Sequence, residues 1–207
     1  AQGMKTPMIE IGALNAGYRG NPVLHDITLT VQAGEFTGVL GPNGSGKTTL
    51  IRVLSGVLKA DSGTIRIAGR DVGELSAKKR ARRCATVAQN SPVLPGVRAL
   101  SLVLMGRYPY VSFLGGYSDQ DHRRAREAMT ETSCLHLGHR PAEALSGGEL
   151  QRVITAKALA QDTCLLLLAE AASNLDVART MDLYELLKAK NASGLTVLTV
   201  AHDLNLA

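Results

Sequence analysis

Apolar and polar residues alternate in three short runs early in the chain: MIEIGAL (8–14), DITLTV (26–31) and EFTGVL (35–40), with Gly, Pro and Asn between them. A period of two predicts half-buried strands bounded by turns. From residue 48 the period changes. TTLIRVLSGVL (48–58) carries apolar residues at helical spacing, and TIRIAG (64–69) and ATVAQ (85–89) return to strand. Residues 98–107 and 119–136 read as helices. The second opens on Ser118 and Asp121, an S-x-x-D capping box. GELQRVITAKALAQ (148–161) and residues 177–191 predict two more helices. CLLLLA (164–169) and LTVLTVA (195–201) are continuous apolar runs, as expected of strands buried on both faces. Strands alternating with helices predict an α/β fold with a mainly parallel sheet. The final HDLNLA starts another helix-like pattern, so a C-terminal end cut short is expected.

Composition narrows this picture only a little. The 207 residues are 45% hydrophobic but 3% aromatic, without Trp, so Leu, Val, Ile and Ala must build the core of one domain. The net charge of +5 suits an anionic ligand, an acidic lipid surface or nucleic acid. KKRARR (78–83) is the densest basic run. No aromatics interleave with it as single-strand binding requires, so it reads as a solvated helix face, and no nucleic acid partner is expected. Cys84, Cys134 and Cys164 are odd in number and widely spaced, which argues against disulfides or zinc and favours a reducing cytoplasm. No apolar stretch approaches the roughly 20 residues of a membrane span.

VLGPNGSGKTTL (39–50) carries candidate chemistry. It contains G-x-x-x-x-G-K-T from Gly41 to Thr48, between a predicted strand and a predicted helix. Glycines let backbone N–H groups converge on phosphate oxygens, and the helix start adds its dipole. Lys47 supplies a point charge for β- and γ-phosphates, and Thr48 offers a hydroxyl to Mg²⁺. ALSGGELQRV (144–153) repeats the logic without a lysine. Ser146 and Glu149 form an S-x-x-E capping box, with Gly147 and Gly148 in the first turn. Each glycine costs a helix about 1 kcal/mol, which suggests close approach by a ligand. One chain already has its phosphate cradle at 41–48, so the second is expected to address a nucleotide held by another copy. LLLLAEAASNLD (165–176) ends an apolar run on one acid, Glu170, as a buried strand delivering a carboxylate to a site at its tip would.

GPNGSGKTT, LSGGELQR, LLLLAEAASNLD and AHD, in that order, resemble the nucleotide-binding subunit of an ABC transporter over nearly the whole chain. The resemblance implies a P-loop NTPase, with a RecA-like, mainly parallel core, an N-terminal antiparallel β part and an inserted α-helical subdomain near 90–145. Residues 1–207 would form one ATP-binding domain. It further implies that two copies sandwich two ATP molecules head to tail. Gly41, Pro42, Asn43, Gly44, Ser45, Gly46, Lys47, Thr48 and Thr49 of one copy would face Ser146, Gly147, Gly148 and Glu149 of the other. Tyr18 would stack on adenine, and Thr48 and Gln89 would hold Mg²⁺. Glu170 and His202 would be catalytic, and Asp176 would lie in the loop crossing the dimer interface. Two positions depart from the pattern: Ala169 stands where the family has Asp, and Ala171 where it has Pro. The first removes a carboxylate that holds a metal-bound water, so ATP binding with impaired hydrolysis is one alternative reading. A non-transport ABC ATPase is another, although no coiled-coil insertion is present.

The segment 102–129, with GRYP and an Arg-rich helix, is similar to subunits powering importers of iron–siderophores, haem and cobalamin. Integral membrane permease subunits, and a place on the cytoplasmic face of the membrane, are implied with it. Tyr108, Tyr110, Phe113 and Tyr117 cluster there, which suits either a protein interface or a local mini-core.

Overall fold

The computed structural model describes residues 7–88, 95–112, 115–169 and 177–201. The alternating N-terminal runs form a long hairpin of β1 (Pro7–Tyr18) and β2 (Asn21–Gln32). β4 (Ser62–Ile67) pairs with the other side of β1, and β5 (Arg70–Asp71) follows it, giving an antiparallel sheet of order β2-β1-β4-β5. Ile9, Ile11, Leu14 and Ala16 are all buried, although Ile11 and Leu14 are out of phase for a regular strand. A register shift between them restores the phase and keeps the apolar side chains on one face.

The continuous apolar runs become the centre of a second sheet. β3 (Phe36–Leu40), β8 (Thr196–Ala201), β7 (Leu165–Ala169) and β6 (Cys84–Val87) lie in the order β3-β8-β7-β6, all parallel. Leu165, Leu167 and Ala169 share one core with Leu50, Ile51 and Leu54 of α1 (Lys47–Ser55). Leu166 and Leu168 share another with Ile154 and Ala158 of α5 (Gly147–Ala160) and Leu183 and Leu187 of α6 (Val177–Ala192). Helices on both faces leave β7 no solvated side, which is why its sequence does not alternate. α1 stops three residues short of the periodic pattern because Gly56 closes it in a left-handed cap.

A helical unit with its own core is built from α3 (Ala99–Leu104), α4 (Asp119–Glu131) and the inward side of α5. Leu102, Val103 and Met129 pack there against Val153 and Ala156. The helix expected to reach residue 136 ends at Glu131. The Thr132 hydroxyl bonds back to the Ala128 carbonyl at 2.9 Å, and Ser133 turns to a φ of 53°. GRYP lies in a 3-10 stretch, Met105–Tyr110, pressed onto α5. At Gly106 a Cβ would stand 2.2 Å from the Lys157 carbonyl oxygen, so only glycine fits.

The basic run 78–83 lies on the solvated helix face expected of it, with Lys78, Lys79 and Arg82 exposed. It forms α2 (Ala77–Ala81) and its C-terminal flank, and three of its cations are engaged. Lys78 donates to the Val111 carbonyl, and Arg82 donates to that of Pro109 at 2.9 Å. Arg80 lies 3.4 Å from the Gly56 carbonyl at the end of α1. The run thus clamps the GRYP stretch rather than facing only water.

Candidate nucleotide site

Three described segments carry predicted site residues: the end of β1, the loop between β3 and α1, and the start of α5. The loop from Gly41 to Gly46 leaves β3 and turns at Ser45, whose N–H donates to the Pro42 carbonyl at 3.2 Å. Gly46 caps α1 at a φ of 91°, and a Cβ there would lie 2.8 Å from the Leu24 side chain. The positive φ is what calls for glycine, and the Leu24 methyl adds crowding that its side chain can relieve. Pro42, Asn43, Gly44 and Ser45 are exposed. Lys47 is buried, and its ammonium donates to the carbonyls of Gly41 at 2.6 Å and Pro42 at 2.8 Å. Thr48 is half-buried and Thr49 buried at the first turn of α1.

α1, like α3, has no side-chain cap at its start, whereas α4 and α5 are each closed by a complete capping box. The first N–H groups of α1 are therefore left for an anion, with the helix dipole and Lys47 beside them. A shallow cavity of about 240 Å³ opens here, lined by Val23, Asn43, Gly44, Lys47, Thr48 and Thr49 among others. Its described lining runs only from residue 23 to residue 49, so α5 contributes no wall. A larger cavity of about 420 Å³ lies between α4, α5 and α6, lined by Glu131, Gly148, Arg152, Asp182 and Glu185 among others, and the phosphate loop takes no part in it.

Tyr18, at the end of β1, reaches the same region. Its hydroxyl lies 3.5 Å from Thr49 Oγ1 and accepts a hydrogen bond from Arg52 at 2.9 Å. Burial works to raise the phenol pKa, but the bonds to Thr49 and Arg52 outweigh it and hold the value below the ordinary one.

At the start of α5 the predicted capping box is complete. The Ser146 N–H donates to Glu149 Oε2 at 2.8 Å, and the Glu149 N–H donates to Ser146 Oγ at 3.4 Å. Ser146 holds the Glu149 carboxyl below the usual range, first through its N–H and then through its hydroxyl. Arg140 supports the box from outside, 3.2 Å from Glu149 Oε1 and 2.9 Å from the Ala144 carbonyl. Ser146 and Gly147 are exposed and Gly148 is buried. Sequence reasoning missed both arginines, because neither Arg52 nor Arg140 belongs to a spaced motif.

Gln89, Glu170, Asp176 and His202, and with them Ala171, lie outside the described residues. Ala169 is described: it ends β7, opposite Val200 of β8, and is buried in the core beneath α1. Among the described residues, the Thr48 hydroxyl is the one predicted metal donor in place, and no cluster of His, Cys, Asp or Glu stands ready for a metal. That donor set fits Mg²⁺ only as part of a shell completed by phosphate oxygens and waters, the usual arrangement for this ion.

The ABC transporter family pattern matches residues 24–173, spanning the phosphate loop, the α5 cap and the whole of β7. This chain belongs to the ABC transporter family. The cassette is 37% identical over 193 residues to the iron(3+)-hydroxamate import ATP-binding protein FhuC of Bacillus subtilis (strain 168), covering 93% of this chain and 72% of that protein. It is 36% identical over 195 residues to the ferric enterobactin transport ATP-binding protein FepC of Escherichia coli (strain K12), covering 94% and 72%. Its fold is similar to the dimeric ATP-binding cassette MJ0796 bound to ADP and Pi, with a TM-score of 0.85 and 27% identity over 97% of this chain and 90% of that one. The cassette is thus an ATP-binding P-loop α/β domain, as the sequence led one to expect. No described helix of it is long and apolar enough to cross a membrane.

Proposed function

We propose that the cassette closes head to tail with a second copy over two ATP molecules. Their hydrolysis then drives import of iron–siderophore, haem or cobalamin through integral membrane permease subunits, from the cytoplasmic face of the membrane. The one-sided cavity at the head of α1 carries the reading. At about 240 Å³ it lies below the usual range of a ligand pocket, about 300–1,000 Å³, and its described walls are Val23 and the phosphate-loop motif. Ser146, Gly147, Gly148 and Glu149 of the second copy supply the missing wall. The exposure of Ser146 and Gly147 favours this role.

The loop amides and Lys47 hold the β- and γ-phosphates. Lys47 exchanges its bonds to the Gly41 and Pro42 carbonyls for phosphate oxygens, so its charge is in place before the nucleotide arrives. The Tyr18 ring packs against adenine. Glu170 polarises the attacking water, His202 meets the γ-phosphate, and Asp176 lies in the loop that crosses to the second copy. Thr48 and Gln89 would hold Mg²⁺, which when bound neutralises charge on the β- and γ-phosphates. Ala169 offers it no support, which slows hydrolysis but leaves the phosphate cradle intact.

The import reading rests on relatives named for ferric hydroxamate, ferric enterobactin and cobalamin transport. Its dimer step is tested on the Glu170→Gln chain by size-exclusion chromatography. ATP should shift the chain to a dimer, and Ser146→Arg should abolish the shift without changing ATP affinity of the monomer. A chain that stays monomeric at saturating ATP, or a dimer indifferent to Ser146→Arg, rejects it. Vesicles carrying the cassette with its permease should accumulate labelled siderophore, haem or cobalamin when ATP is supplied. Accumulation of none of the three rejects the cargo.

A further inference from the structure

Thr49 and Arg52 are three residues apart on α1 and so project from the same face of the helix. Both reach the Tyr18 hydroxyl: Arg52 Nη1 donates to it at 2.9 Å, and Thr49 Oγ1 lies 3.5 Å away. The Arg52 guanidinium also lies 5.8 Å from the centre of the Tyr18 ring, within range of the ring face. Arg52 is exposed and forms no ion pair with a carboxylate among the described residues, so its one described side-chain partner is Tyr18. Tyr18 itself is 37% exposed and sits at the last position of β1, before a turn through Arg19 and Gly20. Nothing in that turn fixes the ring. Its hydroxyl end is held from α1, the helix that begins at the phosphate loop.

We infer that Arg52 is a positioning residue, anchoring the Tyr18 ring to α1 so that it is set to pack against the base before the nucleotide binds. This rests on the proposed stacking role of Tyr18. An unanchored phenol would pivot about its χ angles and would have to be ordered on binding. Ordering one rotamer-rich side chain weakens affinity by about fivefold. The anchor also couples the two ends of the nucleotide, because the helix that presents N–H groups to phosphate is the helix that holds the ring. Arg52 acts through Tyr18 and does not itself touch phosphate, so its effect depends on the presence of a base.

The test is calorimetric titration of the purified full chain with ATP and with inorganic tripolyphosphate. Arg52→Met and Tyr18→Phe should each weaken ATP by about fivefold. The double variant should bind no more weakly than either single one, since both remove the same bond. Tripolyphosphate affinity should stay at the parent value throughout. Arg52→Lys, which keeps a donor without the planar fork, should recover part of the loss. The inference is overturned if Arg52→Met leaves ATP affinity unchanged, if tripolyphosphate weakens in parallel, or if the two losses add. Tyr18→Ala separates the two layers. ATP binding insensitive to Tyr18→Ala rejects the stacking role and the anchor with it. A loss in Tyr18→Ala without one in Arg52→Met rejects the anchor alone.

Discussion

Arg107 and Asp121 meet at 2.9 Å inside the helical unit, with both side chains at least nine-tenths buried. Arg107 also donates to the Ala160 carbonyl at 2.9 Å, and its guanidinium lies 3.9 Å from the centre of the Tyr110 ring. Asp121 accepts from the Ser118 N–H at 2.9 Å and from its hydroxyl at 2.7 Å. One pair thus joins the GRYP stretch, the head of α4 and the tail of α5. Arg82 approaches Tyr110 from α2, 5.3 Å from the ring centre.

Removing one partner leaves a buried charge alone, so Asp121→Asn should destabilise the chain by about 3 kcal/mol at pH 7. Burial works to raise the Asp121 pKa, but the Ser118 and Arg107 bonds outweigh it and depress the value. A depressed carboxyl contributes stability that is full above its unfolded pKa of about 3.9 and is lost as pH falls through the lower folded value. Denaturant melts of parent and variant should therefore differ fully at pH 6, and the gap should begin to close as pH falls below about 4. A gap that does not narrow on acidification contradicts this.

Gly106→Ala should lower stability without touching the nucleotide loop. The new methyl meets the Lys157 carbonyl at 2.2 Å, a backbone atom that cannot swing aside. Overpacking of this kind costs about 1–3 kcal/mol, or roughly 3–10 °C in Tm for a chain of this size. Calorimetry checks it, and an unchanged Tm would mean that the stretch and α5 part readily.

Lys47→Ala should weaken ATP by about 10- to 100-fold through loss of a charge-assisted bond to phosphate. Stability should change little, because the Gly41 and Pro42 carbonyls that Lys47 satisfies lie at an exposed loop that water can reach. Titration and a thermal melt on the same sample separate the two effects. A large fall in Tm would make Lys47 a structural residue first.

Ala169→Asp should raise Mg²⁺-dependent phosphate release by about 10-fold or more, the usual weight of an outer-shell metal contact. Ala169 is buried against α1, so the new carboxylate should also lower the Tm of the nucleotide-free chain, and Mg²⁺ with ATP should restore it. Equal turnover in the two proteins would show that position 169 does not limit hydrolysis.

The apolar pattern located most of the strands and helices, because burial on one face or two imposes its own period, but it overran the ends of α1, α3 and α4. It gave the two-sided cover of β7 in advance, and the spacing of Ser with Asp or Glu gave both capping boxes, because a box is closed within four residues. Spacing likewise located the phosphate loop and the second glycine-rich helix start, whose chemistry is local to the backbone. Long-range contacts left no such trace. The bulge that rephases β1 depends on its pairing with β2 and β4. The clamp of Lys78 and Arg82 on residues 109–111 joins side chains to carbonyls some 30 positions away, and a carbonyl has no sequence signature. Arg52 on Tyr18 and Arg107 on Asp121 are pairs whose partners are chosen by how β1, α1, α4 and α5 pack. Local hydrogen bonding and hydrophobic period fixed the elements; only their packing decided which charges meet.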